Sequence, residues 1–188
     1  MANVLIRVDY NVPIESGHVV DDQRIRATLS TIKQYLNVNN SVLLVTHLGR
    51  PKAYDPKYSV RPIASHLSTL LGKTVEVLSH WPSQSCPFQS NTLYLAENVR
   101  FLAGETENDE RLAQSMAINV DVVVNEAFSV AHREHASNVG IAQHLSNGQY
   151  VFGDQFQYEC DQINTMIHRQ ASPRLAIVGG SKIDTKLG

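Results

Sequence analysis

The stretch VLIRVDYN, residues 4–11, decides the fold of this chain, because an apolar run stops there abruptly at charged and amide residues. Four later segments repeat this pattern: 41–50, 92–100, 120–128 and 174–182. Continuous runs rich in Val, Ile and Leu are typical of strands that are buried on both faces of a parallel sheet. The repetition therefore predicts a parallel sheet whose strands end in polar side chains.

The segments between these runs carry apolar residues at helical spacing, which predicts helices. Residues 23–36 form the first, with Asp22 available as its cap, and residues 59–71 form the second, which ends at Gly72. Further elements are predicted as helices over 108–118, 138–145 and 152–168 and as a short strand over 74–78. Strands and helices alternate, which predicts an α/β fold: a doubly wound, mostly parallel sheet with helices on both faces, in a Rossmann-like three-layer arrangement.

The last residues of the chain resemble the start of a further unit. Residues 174–178 have the pattern of a central strand, and a helix is predicted to open at Lys182. A parallel crossover needs a dozen or more residues and a partner strand, which the remaining residues do not supply. We therefore expect a second domain to begin where the chain stops. The stretch 80–91, which contains two prolines, is predicted to be irregular.

The composition is that of an ordinary globular protein: of 188 residues, 43% are hydrophobic and 18% are charged, and the net charge is −2. This balance argues against a protein held to nucleic acid by overall basicity, so any attraction for phosphate must be local. The first ten residues have no signal-peptide pattern, and no run approaches the roughly 20 apolar residues of a membrane span. We expect a cytoplasmic protein without nucleic-acid or membrane partners.

The cysteines and histidines do not predict a metal site. Cys86 and Cys160 match no metal or disulfide pattern, so we expect free thiols in a reducing compartment, in ordinary packing or surface positions. His132, His135 and His144 allow a metal interpretation, but no cysteine or carboxylate stands at a matching spacing. Histidines on a loop or a helix surface are the favoured interpretation.

Polar residues at the predicted strand ends mark a candidate site, because ligands of open α/β sheets bind in the crevice beyond the carboxyl ends of the strands. These residues are Asp9, Asn11, His47, Arg50, Asn98, Arg100, Asn125, His132, Arg133, Lys182 and Lys186. The set is mostly cationic. It therefore predicts a site for an anion.

Two motifs among these strand ends suggest how a small ligand would be held. In RVDYNVP, residues 7–13, Asp9 and Asn11 lie on one side of an extended chain and can hydrogen-bond a hydroxyl and a carboxylate; turn formation is the alternative. In THLGRP, residues 46–51, the glycine lets the backbone approach a ligand and Arg50 offers a planar donor fork for phosphate. A turn with a solvated arginine is the alternative there.

Three further motifs add cations at strand ends. ENVRF, residues 97–101, and AHREHAS, residues 131–137, each present an arginine just past a strand. GGSKIDTK, residues 179–186, follows a predicted strand and opens a helix, which suits a phosphate cradle although its spacing is not that of a P-loop. Turn formation does not require a cation at nearly every strand end, so the combination favours anion binding.

Taken in order, the motifs RVDYNVP, DQRIRATLSTI, THLGRP, ENVRF, NEAFSVAHREHAS and GGSKIDTK resemble the N-terminal half of the phosphoglycerate kinase family. The resemblance implies two α/β domains that close on each other, the first binding 3-phosphoglycerate or 1,3-bisphosphoglycerate and the second MgADP or MgATP. It implies a substrate-binding domain over residues 1–153 and an interdomain helix over 154–171. Residues 172–188 would be the first strand and helix start of a truncated nucleotide-binding domain.

The resemblance also implies roles for individual residues. Arg24 would steady the transferring group and is a catalytic candidate, as is Lys182, while Lys186 would contact the nucleotide phosphates. Asp9 and Asn11 would hold the glycerate part of the substrate. The basic patch that binds the 3-phosphate would consist of His47, Arg50, Arg100 and Arg133.

The function implied by the resemblance is the glycolytic phosphoryl transfer between 1,3-bisphosphoglycerate and ADP, which gives 3-phosphoglycerate and ATP. The acceptor carboxylate has an unperturbed pKa of roughly 4 and is ionised near neutral pH, so no general base is needed. Positioning and charge neutralisation by arginine and lysine remain. Mg-ATP or Mg-ADP would serve the complete enzyme, which is expected to be monomeric. This chain alone is expected to bind no cofactor and to show no turnover.

The sequence departs from the family pattern at two places and leaves two alternatives open. Glu126 in NEAF replaces the usual aspartate, which is expected to cause a modest local adjustment, and the stretch 80–91 is shorter than the family's segment there. The first alternative is a non-catalytic binding module for a phosphorylated carboxylic acid. The second is a fragment that self-associates through its unpaired last strand.

Overall fold

A six-stranded parallel sheet organises the chain in the computed structural model, which describes residues 2–81, 89–146, 148–168 and 175. The strands are β1 (Asn3–Arg7), β2 (Ile14–Glu15), β3 (His18–Val19), β4 (Ser41–Val45), β5 (Val75–Leu78), β6 (Leu93–Ala96), β7 (Val122–Asn125) and β8 (Gln149–Phe152). The large sheet has the order β5-β6-β4-β1-β7-β8, and every neighbouring pair in it is parallel. The strands β2 and β3 form a separate antiparallel hairpin.

Helices cover both faces of this sheet. They are α1 (Gln23–Ala27), α2 (Leu29–Asn37), α3 (Arg61–Leu71), α4 (Glu110–Ala117), α5 (Ile141–Gln143) and α6 (Asp154–His168). Side chains alternate along β1, so Val4 and Ile6 join the core cluster that contains residues of α1, α2 and α3, whereas Leu5 joins the cluster on the other face with residues of α4 and α5. The predicted doubly wound α/β fold with helices on both faces is confirmed.

The central strands are buried on both faces, as the apolar runs predicted. All five residues of β4 and all four of β6 are buried, whereas the edge strands β5 and β8 each keep partly or fully exposed residues. A strand between two neighbours and two helix layers must be apolar throughout, because both of its faces leave water. No helix in the described part of the chain is long and apolar enough to cross a membrane.

The prediction of one helix over residues 23–36 is wrong, because α1 and α2 are separated at Thr28. The Thr28 hydroxyl donates to the carbonyl of Ile25 at 3.0 Å and lies 2.7 Å from the Tyr10 hydroxyl, so this buried side chain competes with regular helical bonding. The prediction that Asp22 caps this helix is also wrong. Asp22 precedes α1 without a capping hydrogen bond, and its carboxylate instead accepts from Arg26 at 2.9 Å and faces His66 at 2.8 Å.

The other predicted helices are present with shifted ends. The helix α3 ends at Gly72 in the left-handed conformation, with φ +62°, which confirms the predicted C-terminal glycine. The helix predicted over 138–145 is a π-helical turn, Ala136–Gly140, followed by the single turn of α5. The strand predicted within 174–182 lies outside the described residues. The hairpin of β2 and β3 and the edge strand β8 were not predicted.

Candidate functional site

The candidate site lies at the carboxyl edge of the sheet, where the strands β1, β4, β6 and β7 end. Asp9 follows β1, His47 follows β4, Arg100 lies in the short 3₁₀ helix after β6, and Ser129 lies in the one after β7. Parallel strands place these ends side by side, so residues far apart in sequence share one crevice.

Asp9 is the centre of the first group of residues. Its Oδ2 accepts hydrogen bonds from an Arg24 guanidinium nitrogen and from the Ser129 hydroxyl. Its Oδ1 accepts from the Asn11 amide at 3.3 Å and lies 3.9 Å from Nδ1 of His47. The structure therefore brings the predicted residues Arg24 and His47 to the predicted Asp9.

Asn11 is held by the turn that follows β4. Its side-chain oxygen accepts a hydrogen bond from the Gly49 amide at 2.9 Å. Gly49 has a φ of +63°, and a Cβ there would lie 2.3 Å from Cε1 of Tyr58. Position 49 therefore requires glycine, both for its left-handed backbone and for the space that the Tyr58 ring occupies. The hydrogen bond from Gly49 brings the THLGRP turn against the RVDYNVP segment.

The arginines form the second group of residues. Arg50 and Arg100 line one cavity of 530 Å³ together with Lys52, and Glu105 and Glu107 line it too. Partial burial lowers the pKa of Arg100, and the positive charges of Arg133 and Arg50 lower it further, while the charges of Glu105 and Glu107 oppose this shift. Arg50 and Arg133 therefore both lie within electrostatic range of Arg100. The Nε of Arg100 is buried and has no hydrogen-bond partner among the described residues. Like charges this close disfavour one another's charged forms, so an anion bound beside the arginines would stabilise them further.

His47 connects the two groups. Burial lowers its pKa to about 3, and the charges of Arg7, Arg100 and Arg133 contribute in the same direction, while Asp9 opposes them. The imidazole is therefore neutral at physiological pH. Its buried Nδ1 has no hydrogen-bond partner in the described part of the structure, so one polar atom remains free beside Asp9.

A buried polar network, which the sequence analysis missed, lies behind the arginines. Arg7 is 2% exposed, and its Nε donates to the Ser137 hydroxyl at 3.1 Å. That hydroxyl donates in turn to Glu105 at 2.6 Å, and the Ser137 amide donates to the same carboxylate at 3.0 Å. Nδ1 of His135 lies 3.8 Å from it. The network links the end of β1 to the segments that carry Arg100 and Arg133.

Only part of this network was visible in the sequence. Arg7 stands two residues before Asp9, so the alternation of side chains in an extended chain was a signal for it. Glu105 and Ser137 are contributed by segments 32 residues apart, and no local pattern connects them. Burial and three neighbouring arginine charges hold the pKa of His135 at about 4, which makes it a neutral residue of this network at neutral pH.

Two strand-end amides that the sequence placed in the anion site have structural roles instead. The Asn98 amide nitrogen donates to the carbonyls of Leu48 at 2.8 Å and Tyr58 at 3.0 Å. The Asn125 side chain donates to the Tyr150 hydroxyl at 2.8 Å and accepts from the Ala127 amide at 2.8 Å. Both amides form hydrogen bonds within the protein, which gives them a structural role and not a ligand-binding one.

Some of the predicted residues cannot be placed. Lys182, Lys186 and Cys86 lie outside the described residues, while Cys160 is a half-buried free thiol on α6. The predicted residues Asp9, Asn11, Arg24, His47, Arg50, Arg100 and Arg133 all lie at the carboxyl edge of the sheet. Their individual roles stay predictions.

The fold and the site together define the class of this protein: a doubly wound α/β protein with arginines clustered in a crevice at the carboxyl edge of its sheet. A family model described as phosphoglycerate kinase matches residues 2–188. The chain therefore belongs to the phosphoglycerate kinase family.

Individual relatives agree with this family. The phosphoglycerate kinase of Pseudothermotoga lettingae is 41% identical over 192 residues, which cover 98% of this chain and 48% of the relative. That of Borreliella burgdorferi is 40% identical over 189 residues, which cover 97% of this chain and 47% of the relative. The structure of phosphoglycerate kinase from Coxiella burnetii matches with a TM-score of 0.86 and 34% identity, over 99% of this chain and 47% of that one. The chain spans about half the length of these relatives.

Proposed function

We propose that this chain is the substrate-binding half of a phosphoglycerate kinase. In this proposal residues 1–153 bind 3-phosphoglycerate or 1,3-bisphosphoglycerate, residues 154–171 join the two halves, and residues 172–188 begin the nucleotide-binding half. The observation that carries the proposal is that two groups of residues share one crevice: Asp9 with Asn11, and Arg100 with the two arginines near it. An acceptor for a hydroxyl beside a cluster of cations matches a phosphorylated hydroxy acid.

The proposed division of labour follows from the chemistry of each group. The arginines bind the 3-phosphate, because their planar forks match its oxygens. Asp9 accepts the substrate hydroxyl, and Asn11 orients the glycerate. Arg24 is 52% exposed at the crevice and needs only a side-chain rotation to leave Asp9 for the developing charge of the transferring group.

The nucleotide half of the reaction is assigned to other parts of the enzyme. Mg-ADP or Mg-ATP supplies or receives the phosphoryl group in the proposed reaction. In the described residues no group of three or more His, Cys, Asp or Glu side chains could hold a metal ion. We propose Lys182 and Lys186 for the phosphoryl and nucleotide contacts. We further propose a cytoplasmic location and a monomeric complete enzyme.

Isothermal titration with 3-phosphoglycerate tests the substrate site directly. The wild-type chain is expected to bind, and an Arg50→Ala, Arg133→Ala variant is expected to lose at least tenfold in affinity, since each charge-assisted bond contributes roughly 1.5–3 kcal/mol. Arg111→Ala, on the exposed surface of α4, is the matched control and should bind as the wild type does. Equal binding by the double variant would overturn the assignment.

A coupled assay separates the kinase from a non-catalytic binding module. This chain is mixed with the C-terminal half of a relative, together with 3-phosphoglycerate and Mg-ATP, and ADP formation is followed. Turnover above that of either half alone is expected for a kinase half. Binding of 3-phosphoglycerate without turnover in the mixture would favour the binding module. Size-exclusion chromatography with and without residues 172–188 tests self-association, and a shift on truncation would favour the self-associating fragment.

A further inference from the structure

We propose that Ser129 is a specificity-determining residue, which orients Asp9 so that its Oδ1 recognises the 2-hydroxyl group of a phosphorylated hydroxy acid. The proposal rests on the proposed function, because it concerns the same crevice. It adds a residue to the substrate site that acts through Asp9 rather than by charge, and it assigns different tasks to the two oxygens of one carboxylate.

The position of Ser129 is fixed by the segment that follows β7. The Glu126 amide donates to the carbonyl of Arg7 at 2.8 Å, and the Ala127 amide donates to the Asn125 side chain at 2.8 Å. The ring of Phe128 packs edge-on against Phe156 of α6 at 5.3 Å. Ser129 lies in the next turn, the 3₁₀ helix Phe128–Val130. Its hydroxyl is therefore presented to Asp9 from a backbone that is held by the three residues before it.

The two oxygens of Asp9 have unequal surroundings. Oδ2 accepts from two side-chain donors, Arg24 and Ser129. Oδ1 has one backbone donor, the Asn11 amide, at 3.3 Å, which is long for an N–H···O bond. A carboxylate oxygen accepts about two hydrogen bonds, so within the part of the chain that the structure describes Oδ2 has its full set of donors and Oδ1 does not. Oδ1 is also the oxygen that faces His47.

This inequality predicts which oxygen binds the ligand. A substrate hydroxyl can donate only to an acceptor with a free lone pair, and at Asp9 that is Oδ1, the oxygen that faces His47. Ser129 keeps the carboxylate in this orientation even when Arg24 leaves Oδ2 to meet the transferring group. Without the Ser129 hydroxyl, Oδ2 would lose its last side-chain donor at that moment, and the carboxylate could rotate about its terminal bond.

Two ligands that differ by one hydroxyl test this role. Titration calorimetry on the 188-residue chain compares 3-phosphoglycerate with 3-phosphopropionate, here the phosphate ester of 3-hydroxypropionate. This ester keeps the phosphate and the carboxylate but lacks the 2-hydroxyl. The dissociation constant of 3-phosphopropionate divided by that of 3-phosphoglycerate measures recognition of that hydroxyl. In Ser129→Ala we expect this ratio to fall roughly threefold or more, the value of one typical hydrogen bond. The affinity for 3-phosphopropionate should change little.

Conservative and remote variants complete the experiment. Ser129→Thr keeps the hydroxyl and should retain the wild-type ratio, as should Ser90→Ala, whose hydroxyl bonds the carbonyl of Asn39 away from the site. Equal weakening of both ligands in Ser129→Ala would mean a merely structural role and would overturn the proposal, as would an unchanged ratio. If the wild-type chain binds neither ligand, the proposed function itself fails, and the role of Ser129 fails with it.

Discussion

Burial sets the charge state of the polar residues behind the candidate site. Glu105 is 1% exposed, and burial raises its pKa, while the charge of Arg7 and the hydrogen bonds from Ser137 oppose this rise. Burial also lowers the pKa values of Arg7 and His47. The sequence indicated which of these residues are polar. It could not indicate their protonation, because that depends on neighbours contributed by four separate segments.

The lowered pKa of His47 predicts a loss of stability in acid. Folding lowers the pKa of His47 from 6.5 to about 3. Between these two pH values the unfolded state binds more protons than the folded state. The contribution of His47 to the free energy of unfolding is therefore fully present above pH 6.5 and is lost as the pH falls towards 3. Between pH 7 and 5 this residue alone should cost about 2 kcal/mol. In urea unfolding, His47→Gln should lose less stability than the wild type over this interval. His168→Gln, at an exposed position, is the control. The prediction would be contradicted if the free energy of unfolding changed with pH equally in His47→Gln and in the wild type.

Gly49 predicts a coupling between backbone conformation and ligand affinity. An alanine there would have φ +63° and a Cβ 2.3 Å from the Tyr58 ring, so the turn must move and its amide leaves Asn11. We expect Gly49→Ala to weaken 3-phosphoglycerate binding by roughly tenfold, from one or two misplaced hydrogen bonds. Gly17→Ala is the matched control, because Gly17 also has positive φ but no atom near its would-be Cβ. Equal affinities in both variants would count against the coupling.

At the scale of elements, what the sequence predicted depended on length and burial. The long apolar runs and the amphipathic helices were recognisable because their periodicity extends over many residues. The strand β8 was missed, since its four residues lie at a sheet edge and two of them are exposed, which leaves no alternation to detect. The break at Thr28 was missed because it depends on a hydrogen bond with Tyr10, 18 residues earlier.

Glu126 links three elements. Its carboxylate accepts from the Thr31 hydroxyl on α2 and from the Phe156 amide in the first turn of α6 at 3.1 Å. A negative charge at a helix N-terminus is favourable, and here it is buried between β7 and two helices. Gly153 at the start of α6 has no side chain, and a Cβ there would lie 2.2 Å from Cδ of Glu126. The glutamate and the glycine are therefore a matched pair.

This pair predicts non-additive mutations. Gly153→Ala should destabilise the chain by roughly 2 kcal/mol through overpacking, and Glu126→Asp by roughly 1–2 kcal/mol because the shorter side chain cannot reach both donors. In the double variant the aspartate leaves room for the new methyl group, so the combined loss should be smaller than the sum by roughly 1 kcal/mol. Urea unfolding of the four proteins measures this. Strict additivity would show that the two positions do not interact.

At the scale of the whole molecule, the sheet order determines both the site and the distribution of stability. The strand β1 pairs with β4 on one side and β7 on the other, and all three end beneath the candidate site. The fold class was predictable because alternating strands and helices allow few topologies. The order of the strands and the pairing of β7 with β8 were not, because no local signal specifies which strands become neighbours.

The sheet order predicts a gradient of hydrogen exchange. Amides of the central strands β1 and β4 should exchange slowest, at rates that approach global unfolding, because strands flank them on both sides. Amides of β5 and β8 at the sheet edges should exchange through local opening, with protection lower by roughly tenfold or more. Mass spectrometry of peptides from exchanged protein provides the comparison. Uniform protection across the sheet would argue against edge strands that open independently.

The central place of β1 also has a consequence for biosynthesis. Ribosomes deliver the chain in order at roughly 5–20 residues per second, yet Val4 pairs with Val122 on β7. For roughly ten seconds of translation, the strand that precedes Asp9 has at most one of its two partners. A nascent chain stalled before β7 should therefore recruit chaperones through one apolar flank of β1, and the same chain stalled after β8 should not.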